Sequence, residues 1–263
     1  FTEHRTSLPA LSVIQVGAVP LEGAQLALEA VSVQRKPANP GGLAFLAGQQ
    51  VVAEAPTLQM APLAEQALGR LQTALEANGL APADVLRLTC FLTALDDVGA
   101  VRQAAAARFP QMPATLVQLQ REPRRSLVEC EAVARLHTAP PAPVRFVNPP
   151  ALASSPNYSQ VALVGPVNIA LSGTQMAFGY KDEDARLAFQ RLDKALQSVR
   201  SSLAQAFWTS YYPVSNPVAE IIRRVRFDFL RKDSPPAATM VPFEGLPSLD
   251  AAFAVDVAAL VPE

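Results

Sequence analysis

Two glutamates near the middle of the chain are the residues best placed to do chemistry. They lie in the run LVECEAVARL, Leu127 to Leu136, whose alternating pattern predicts a β-strand. On such a strand Glu129 and Glu131 share one face with Leu127 and Arg135. A glutamate acts as a general base when a dry surrounding raises its pKa. Glu129 is therefore a candidate catalytic residue, and the alternative is a carboxylate that is paired or solvated at an interface.

Two further charged groups stand on segments with helical spacing. Arg223, Arg224 and Arg226 lie close together on a predicted helix. They form either a solvated face or a source of positive charge for a site. The run Lys181–Asp184 fits the start of a helix, where acidic side chains favour the helix dipole.

Composition and the scarcity of special residues exclude several classes of function. The 263 residues carry a net charge of -1, half are hydrophobic and 17% are charged, which is typical of a folded globular protein. Without a run of basic residues we expect no nucleic-acid partner, and without a long apolar stretch we expect no membrane span. His4 and His137 are the only histidines and glycine-rich loops are missing, so we expect neither a metal nor another cofactor.

The two cysteines and the first residue bear on the compartment. Cys90 and Cys130 are too few for a disulfide framework in a chain of this length, and we predict buried free thiols. The sequence begins with Phe1 rather than methionine. Its compartment therefore stays open: a soluble cytoplasmic protein is favoured and secretion is the alternative.

The elements that must position these residues occur twice, about 125 residues apart. The run LAFLAG at 43–48 aligns with NIALSG at 168–173, and LVECEAVARL aligns with AFAVDVAALV at 252–261. Between these runs each half reads helix, strand, helix, strand from its apolar spacing. Each half therefore predicts an α+β domain with one mixed sheet covered on one face by two helices. The half-polar strand face that carries Glu129 predicts that the sheets associate, within the chain or between chains.

The domain boundaries follow from this repeat. We predict a first domain over residues 1–137 with an N-terminal extension, a linker over 138–156, and a second domain over 157–263. The linker holds six prolines in 19 residues, and proline disfavours both helix and sheet. The extension predicts an additional strand or hairpin at Ser12–Val19 and Leu28–Val33.

These segments resemble the RidA/YjgF family of reactive-intermediate deaminases, also called endoribonuclease L-PSP. The carriers of the resemblance are AGQ, FPQMPAT and LVECEAVA in the first half, and LSGTQ, PPAAT and FAVDVAAL in the second. The resemblance implies two tandem chorismate-mutase-like domains and a homo-oligomer, a trimer of tandem chains. It also implies a small-molecule ligand at the interfaces between domains.

The arginine that holds the substrate carboxylate in this family is missing from both halves. Its positions are occupied by Thr115 and Ala238. Neither a hydroxyl nor a methyl group offers the bidentate charged contact of a guanidinium. Carboxylate-bearing imines should therefore bind poorly at these two positions.

The other site residues carried over from the family are divided between the halves. The first half keeps the glutamate as Glu129, and the second keeps Tyr158 and Ser172, which precedes Gly173. A working pocket would therefore combine residues from unlike halves. We expect these four residues, with Thr115 and Ala238, to line ligand sites.

Three functions remain compatible with the sequence. The first is a divergent hydrolase or deaminase-like enzyme acting on a small imine, enamine or related metabolite. The second is a non-catalytic protein that binds a small molecule or serves assembly. The third is a chorismatase-like enzyme, which the missing charged residues disfavour.

Overall fold

The computed structural model describes residues 9–32 and 39–262 and contains two domains with the same order of elements. The first domain comprises β1 Leu43–Val52, α1 Ala61–Glu76, β2 Val85–Leu92, α2 Val98–Arg108, β3 Thr115–Gln118 and β4 Leu127–Arg135. The second half comprises β5 Val144–Val147, β6 Val161–Val164, β7 Ile169–Leu171, β8 Gln175–Phe178, α3 Asp182–Gln197, β9 Ala206–Pro213, α4 Asn216–Val225, β10 Ala237–Met240 and β11 Ala251–Leu260. The predicted repeat is confirmed, with β7 and β8 together taking the place of β1.

Each domain has one mixed sheet with two helices on one face, as the sequence predicts. The sheet orders are β3-β2-β4-β1-β6-β5 and β10-β9-β11-β7, with β8 also paired to β11. β2 and β3 are parallel, as are β9 and β10, and the other pairs are antiparallel. Leu68, Leu71 and Leu75 of α1 are fully buried against the first sheet. The chain is therefore an α+β protein with tandem domains.

Strand β6 completes the sheet of the first domain although it belongs to the second repeat. It runs antiparallel to β1, with Leu43 opposite Val164 and Leu46 opposite Val161, and β5 pairs with its outer side. β5 lies inside the stretch that we predict as a linker. Its four residues read Val-Arg-Phe-Val between Pro143 and the pair Asn148-Pro149, so the prolines bound the strand without interrupting it.

The sheet faces away from the helices pack against each other within the chain. The ring of Phe45 on β1 lies 5.0 Å from that of Phe207 and 5.7 Å from that of Trp208, both on β9. At the other end Phe91 and Phe243 meet edge to face at 5.6 Å. This contact confirms the predicted sheet-on-sheet association and places the half-polar face of β4 between the domains.

The N-terminal extension departs from the prediction. No strand occurs in the described part of the extension, residues 9–32; only isolated pairs join Gln15 to Gly245 and Ala18 to Gln118. Val33 lies outside the described residues. The backbone of this extended segment forms hydrogen bonds with both domains, through Gln15 to Gly245 and through Gly17 and Ala18 to Gln118. The side chain of Ile14 packs between the two domains. The segment therefore runs across the contact between the two domains and does not form a hairpin of its own.

The prediction of free thiols is wrong, because Cys90 and Cys130 form a disulfide. The register of β2 and β4 places the two residues directly opposite each other, with their Cα atoms 4.1 Å apart. Both residues face the helix-covered core and are fully buried. The pairing depends on strand register, which the spacing of two cysteines does not reveal.

In the part of the chain that the structure describes, no helix is long and apolar enough to cross a membrane.

Candidate functional site

A cavity of about 320 Å³ lies between the two domains. β1 and β4 form one wall, and the other wall comes from the segment before β6, the end of α4 and β10. The lining residues are Gly48, Gln50, Glu129, Asn157, Tyr158, Arg223, Arg226, Ala238 and Met240. The cavity thus combines residues of both halves of the chain.

Glu129 is the acidic group of this cavity. Its side chain is 4% exposed, and Oε2 accepts a hydrogen bond from Nε2 of Gln50 at 2.7 Å. Burial raises the pKa of Glu129 to about 8, and the hydrogen bond from Gln50 opposes that rise only in part. The negative charge of Glu131 raises it further. Near neutral pH the carboxyl is mostly protonated, so it can donate a proton as well as accept one.

Gly48 leaves the space that Glu129 occupies. A Cβ atom at residue 48 would lie 2.0 Å from Oε1 of Glu129, well inside van der Waals contact. The pairing of β1 with β4 shifts register between Leu46 and Gln49, so Gly48 lies in an irregular part of the strand. Gly48, the last residue of the run LAFLAG, therefore has a packing role beside the carboxyl.

Tyr158 supplies a phenol to the same cavity. It is half-buried, and burial followed by the charge of Glu129 raises its pKa. The next residue anchors the segment: Ser159 donates from Oγ to the carbonyl of Pro235 at 2.6 Å. Gln160 accepts a hydrogen bond from Nε2 of Gln49 at 2.7 Å, which ties the segment to β1. These contacts fix Tyr158 beside Glu129.

The three arginines near the end of α4 separate into two groups. Arg224 faces outward and pairs with Asp182 at 2.7 Å. Arg226 begins the 3₁₀ turn after α4, is 3% exposed and lines the cavity. Arg223 also lines the cavity and pairs with Glu220 at the surface. One of the three thus belongs to a solvated face, and two bring positive charge to the site.

The remaining residues expected from the family resemblance lie elsewhere, except Ala238. Oγ of Ser172 accepts the amide of Val257 at 2.9 Å, which is a strand contact. Gly173 lies against the backbone of Leu11, and Thr115 opens β3. None of these three lines the cavity. Ala238 does, in the position where the family resemblance implies an arginine.

Several lining residues are not indicated by the sequence pattern. Gln50 lies one strand period beyond Gly48, which places it on the same face and could have indicated it. Arg226 is one of three neighbouring arginines on a predicted helix, where arginines usually face solvent. Asn157 directly precedes Tyr158, but neither Asn157 nor Met240 is among the site residues that the family resemblance implies.

Comparison with known proteins finds a family model that matches part of the chain. The family model described as "Endoribonuclease L-PSP" matches residues 36–136. Over these residues the chain is similar to the RidA/YjgF/L-PSP family. The second domain repeats the element order of this RidA-like domain. No curated protein gives a significant match to the chain.

Solved structures of the RidA/YjgF family resemble about half of this chain. A Rid-family protein of unknown function, YyfB from Yersinia pestis, shares 15% identity, covers 45% of this chain and 99% of its own, and has a TM-score of 0.39. Rv2704 from Mycobacterium tuberculosis shares 26% identity over 36% of this chain and 80% of its own, with a TM-score of 0.30. TdcF from E. coli, solved with bound serine, shares 24% identity over 43% and 95%, with a TM-score of 0.32.

Proposed function

We propose that the chain is a hydrolase of small imines or enamines that works in the cavity between its two domains. The observation that carries this proposal is Glu129, a buried carboxyl with a pKa of about 8 that faces a cavity beside Tyr158. A group with a pKa near the working pH is an effective acid and base. The similarity of residues 36–136 to the endoribonuclease L-PSP family model supports the same chemistry.

The reaction follows from the protonated state of Glu129. The carboxyl gives its proton to the imine nitrogen, which makes the adjacent carbon electrophilic. The resulting carboxylate takes a proton from water as the water oxygen bonds to that carbon. Glu129 then gives its proton to the carbinolamine nitrogen, the C–N bond breaks to release ammonia, and the carboxylate takes back the hydroxyl proton to leave a carbonyl. The net change is imine plus water to carbonyl plus ammonia, and Glu129 ends protonated as it began.

Neighbouring groups keep this acid in place. Gln50 donates to Oε2 of Glu129, and Oε1 lies against Gly48, which also lines the cavity. The phenol of Tyr158 can donate to the water or the carbinolamine hydroxyl. It keeps its proton in this role, because its pKa is raised.

The test uses imines of both charge types. An amino-acid oxidase generates carboxylate-bearing imines in the assay, an amine oxidase generates neutral ones, and ammonia release is followed against the uncatalysed rate. We expect faster hydrolysis of at least one class, and a fall in kcat of roughly 100-fold or more for Glu129→Gln. Glu65→Gln, the same change on an exposed residue of α1, is the matched control. Wild-type protein that accelerates neither class overturns the proposal and leaves a ligand-binding protein.

The pH dependence of the hydrolysis rate is a second, independent test of Glu129 as the acid. Because the protonated carboxyl starts the reaction, the rate should fall as Glu129 ionises above a pH of about 8. A rate that stays level through this range would show that Glu129 is not the acid.

The homo-oligomer that the family resemblance implies stays a prediction. Both walls of the cavity come from one chain, so we expect activity per chain to be independent of assembly. Mass measurement across a dilution series, with activity measured on the same samples, tests both statements. A loss of activity on dissociation would show that a second chain completes the site.

A further inference from the structure

Arg226 is a buried cation without an anionic partner in the described part of the chain. Its side chain is 3% exposed, and Nε has no hydrogen-bond partner among the described residues. The neighbouring arginines form ion pairs with Glu220 and Asp182, whereas no described carboxylate pairs with Arg226. A buried charge is ordinarily paired, because leaving water is unfavourable for an ion. The missing partner is therefore the feature to explain.

Two aromatic rings hold the guanidinium in place. Its central carbon lies 4.8 Å from the ring centre of Phe227 and 5.7 Å from that of Tyr211. Such contacts attract a cation to the ring faces, but they accept none of its hydrogen bonds. The guanidinium is thus positioned while its donors stay available.

The acidic groups near the cavity do not neutralise it. Glu131 is engaged by Thr239 and by Arg87, whose Nη1 lies 2.8 Å from Oε1. Glu129 is neutral while it is protonated, and it takes its hydrogen bond from Gln50. The cavity therefore carries the positive charge of Arg226, with Arg223 beside it.

We propose that Arg226, with Arg223, binds an anionic group of the substrate from the end of α4, in place of an arginine on β10. The residue on β10 is Ala238, whose methyl group lines the same cavity and leaves it open. The ligand is an oxyanion, a carboxylate or a phosphate, since both accept the paired N–H groups of a guanidinium. This inference rests on the proposed function for its substrate and changes the expectation that carboxylate-bearing imines bind poorly.

Binding of stable ligands tests the inference without turnover. Titration calorimetry compares pyruvate, acetone as its neutral counterpart, and inorganic phosphate on the full chain. We expect pyruvate or phosphate to bind and acetone not to bind. The tighter of the two anions identifies the class of oxyanion.

Substitutions then locate the anion. Arg226→Met keeps the apolar stem between the aromatic rings and removes the charge, and it should weaken anion binding roughly 10- to 100-fold. Arg224→Met, on the solvent face of the same helix, should bind like the wild type. Ala238→Arg in the Arg226→Met background should recover binding, because it returns a guanidinium to the cavity from the other wall. Recovery would also show that the single variant had folded.

The outcomes separate this inference from the proposed function. If Arg226→Met binds the anion as tightly as wild type, or if neither anion binds wild type, the inference is overturned whether or not imines are hydrolysed. If anion binding falls in Arg226→Met while no imine is hydrolysed by wild type, the inference stands and the hydrolase proposal fails.

Discussion

The buried carboxyl of Glu129 should make the stability of the protein depend on pH. The unfolded chain releases this proton near pH 4.5, whereas the folded protein keeps it to a pH of about 8. Between these values the folded state binds one proton more, so the free energy of unfolding falls as pH rises. The slope is about 1.4 kcal/mol per pH unit, and across the interval the loss is roughly 5 kcal/mol.

The variant Glu129→Gln isolates this effect. The amide matches the shape of the protonated carboxyl and cannot ionise, while all other titrating groups remain. We expect the two proteins to differ little near pH 5 and the variant to be several kcal/mol more stable near pH 8.5. Glu65→Gln, the exposed control, should keep the wild-type slope.

Urea unfolding at half-unit steps of pH measures the slope. Trp208 is the only tryptophan and lies buried at the contact between the sheets, so its fluorescence reports separation of the domains. A difference between wild type and Glu129→Gln that stays constant from pH 5 to 8.5 would refute the reasoning. Such a constant difference would mean that the carboxyl of Glu129 is exposed to water or paired with a cation, so that its pKa is not raised.

Three other perturbations follow from local contacts. Gly48→Ala should displace the side chain of Glu129, lower the free energy of unfolding by roughly 1–3 kcal/mol and reduce imine hydrolysis. Gly99→Ala is the control, because a Cβ atom added there meets no other atom, and it should change neither property. Replacing Cys90 and Cys130 by alanine should lower the free energy of unfolding by about 4 kcal/mol, because the disulfide closes a loop of 40 residues in the unfolded chain. Unfolding curves that match those of the disulfide-bonded protein would contradict this. Burial raises the pKa of Asp84, but hydrogen bonds from a backbone amide, a histidine and an arginine outweigh it and lower the pKa. The wild-type protein should therefore lose stability as the pH falls below about 4. Acid unfolding curves of Asp84→Asn should lack that loss.

The repeat and the order of elements were predictable because apolar periodicity is a local signal. The alternation in LVECEAVARL also predicted which side of β4 meets the helices and which meets the other sheet. Val128 and Cys130 lie in the helix-covered core, whereas Leu127 and Glu131 contact the second domain. The alternation of apolar and polar residues was therefore enough to predict the orientation of a strand whose two faces differ in burial.

Pairings between distant segments could not be predicted in the same way. The disulfide depends on the register of β2 against β4, and β6 could have paired with β7 or with β1. The burial of Arg226 depends on Tyr211, which lies on a different element. Each of these outcomes is decided by tertiary contacts that leave no periodic trace in the sequence.

The position of β6 has a consequence for how the chain is made. The edge of β1 is covered only when residues 161–164 have left the ribosome, so the first sheet remains two strands short while the second domain is already emerging. An uncovered strand edge invites pairing with other chains. A first domain made without β5 and β6 would lack two of the six strands of its sheet and would leave this edge of β1 uncovered. Both copies contribute a wall to the same cavity, so a substitution in either copy alters one shared site.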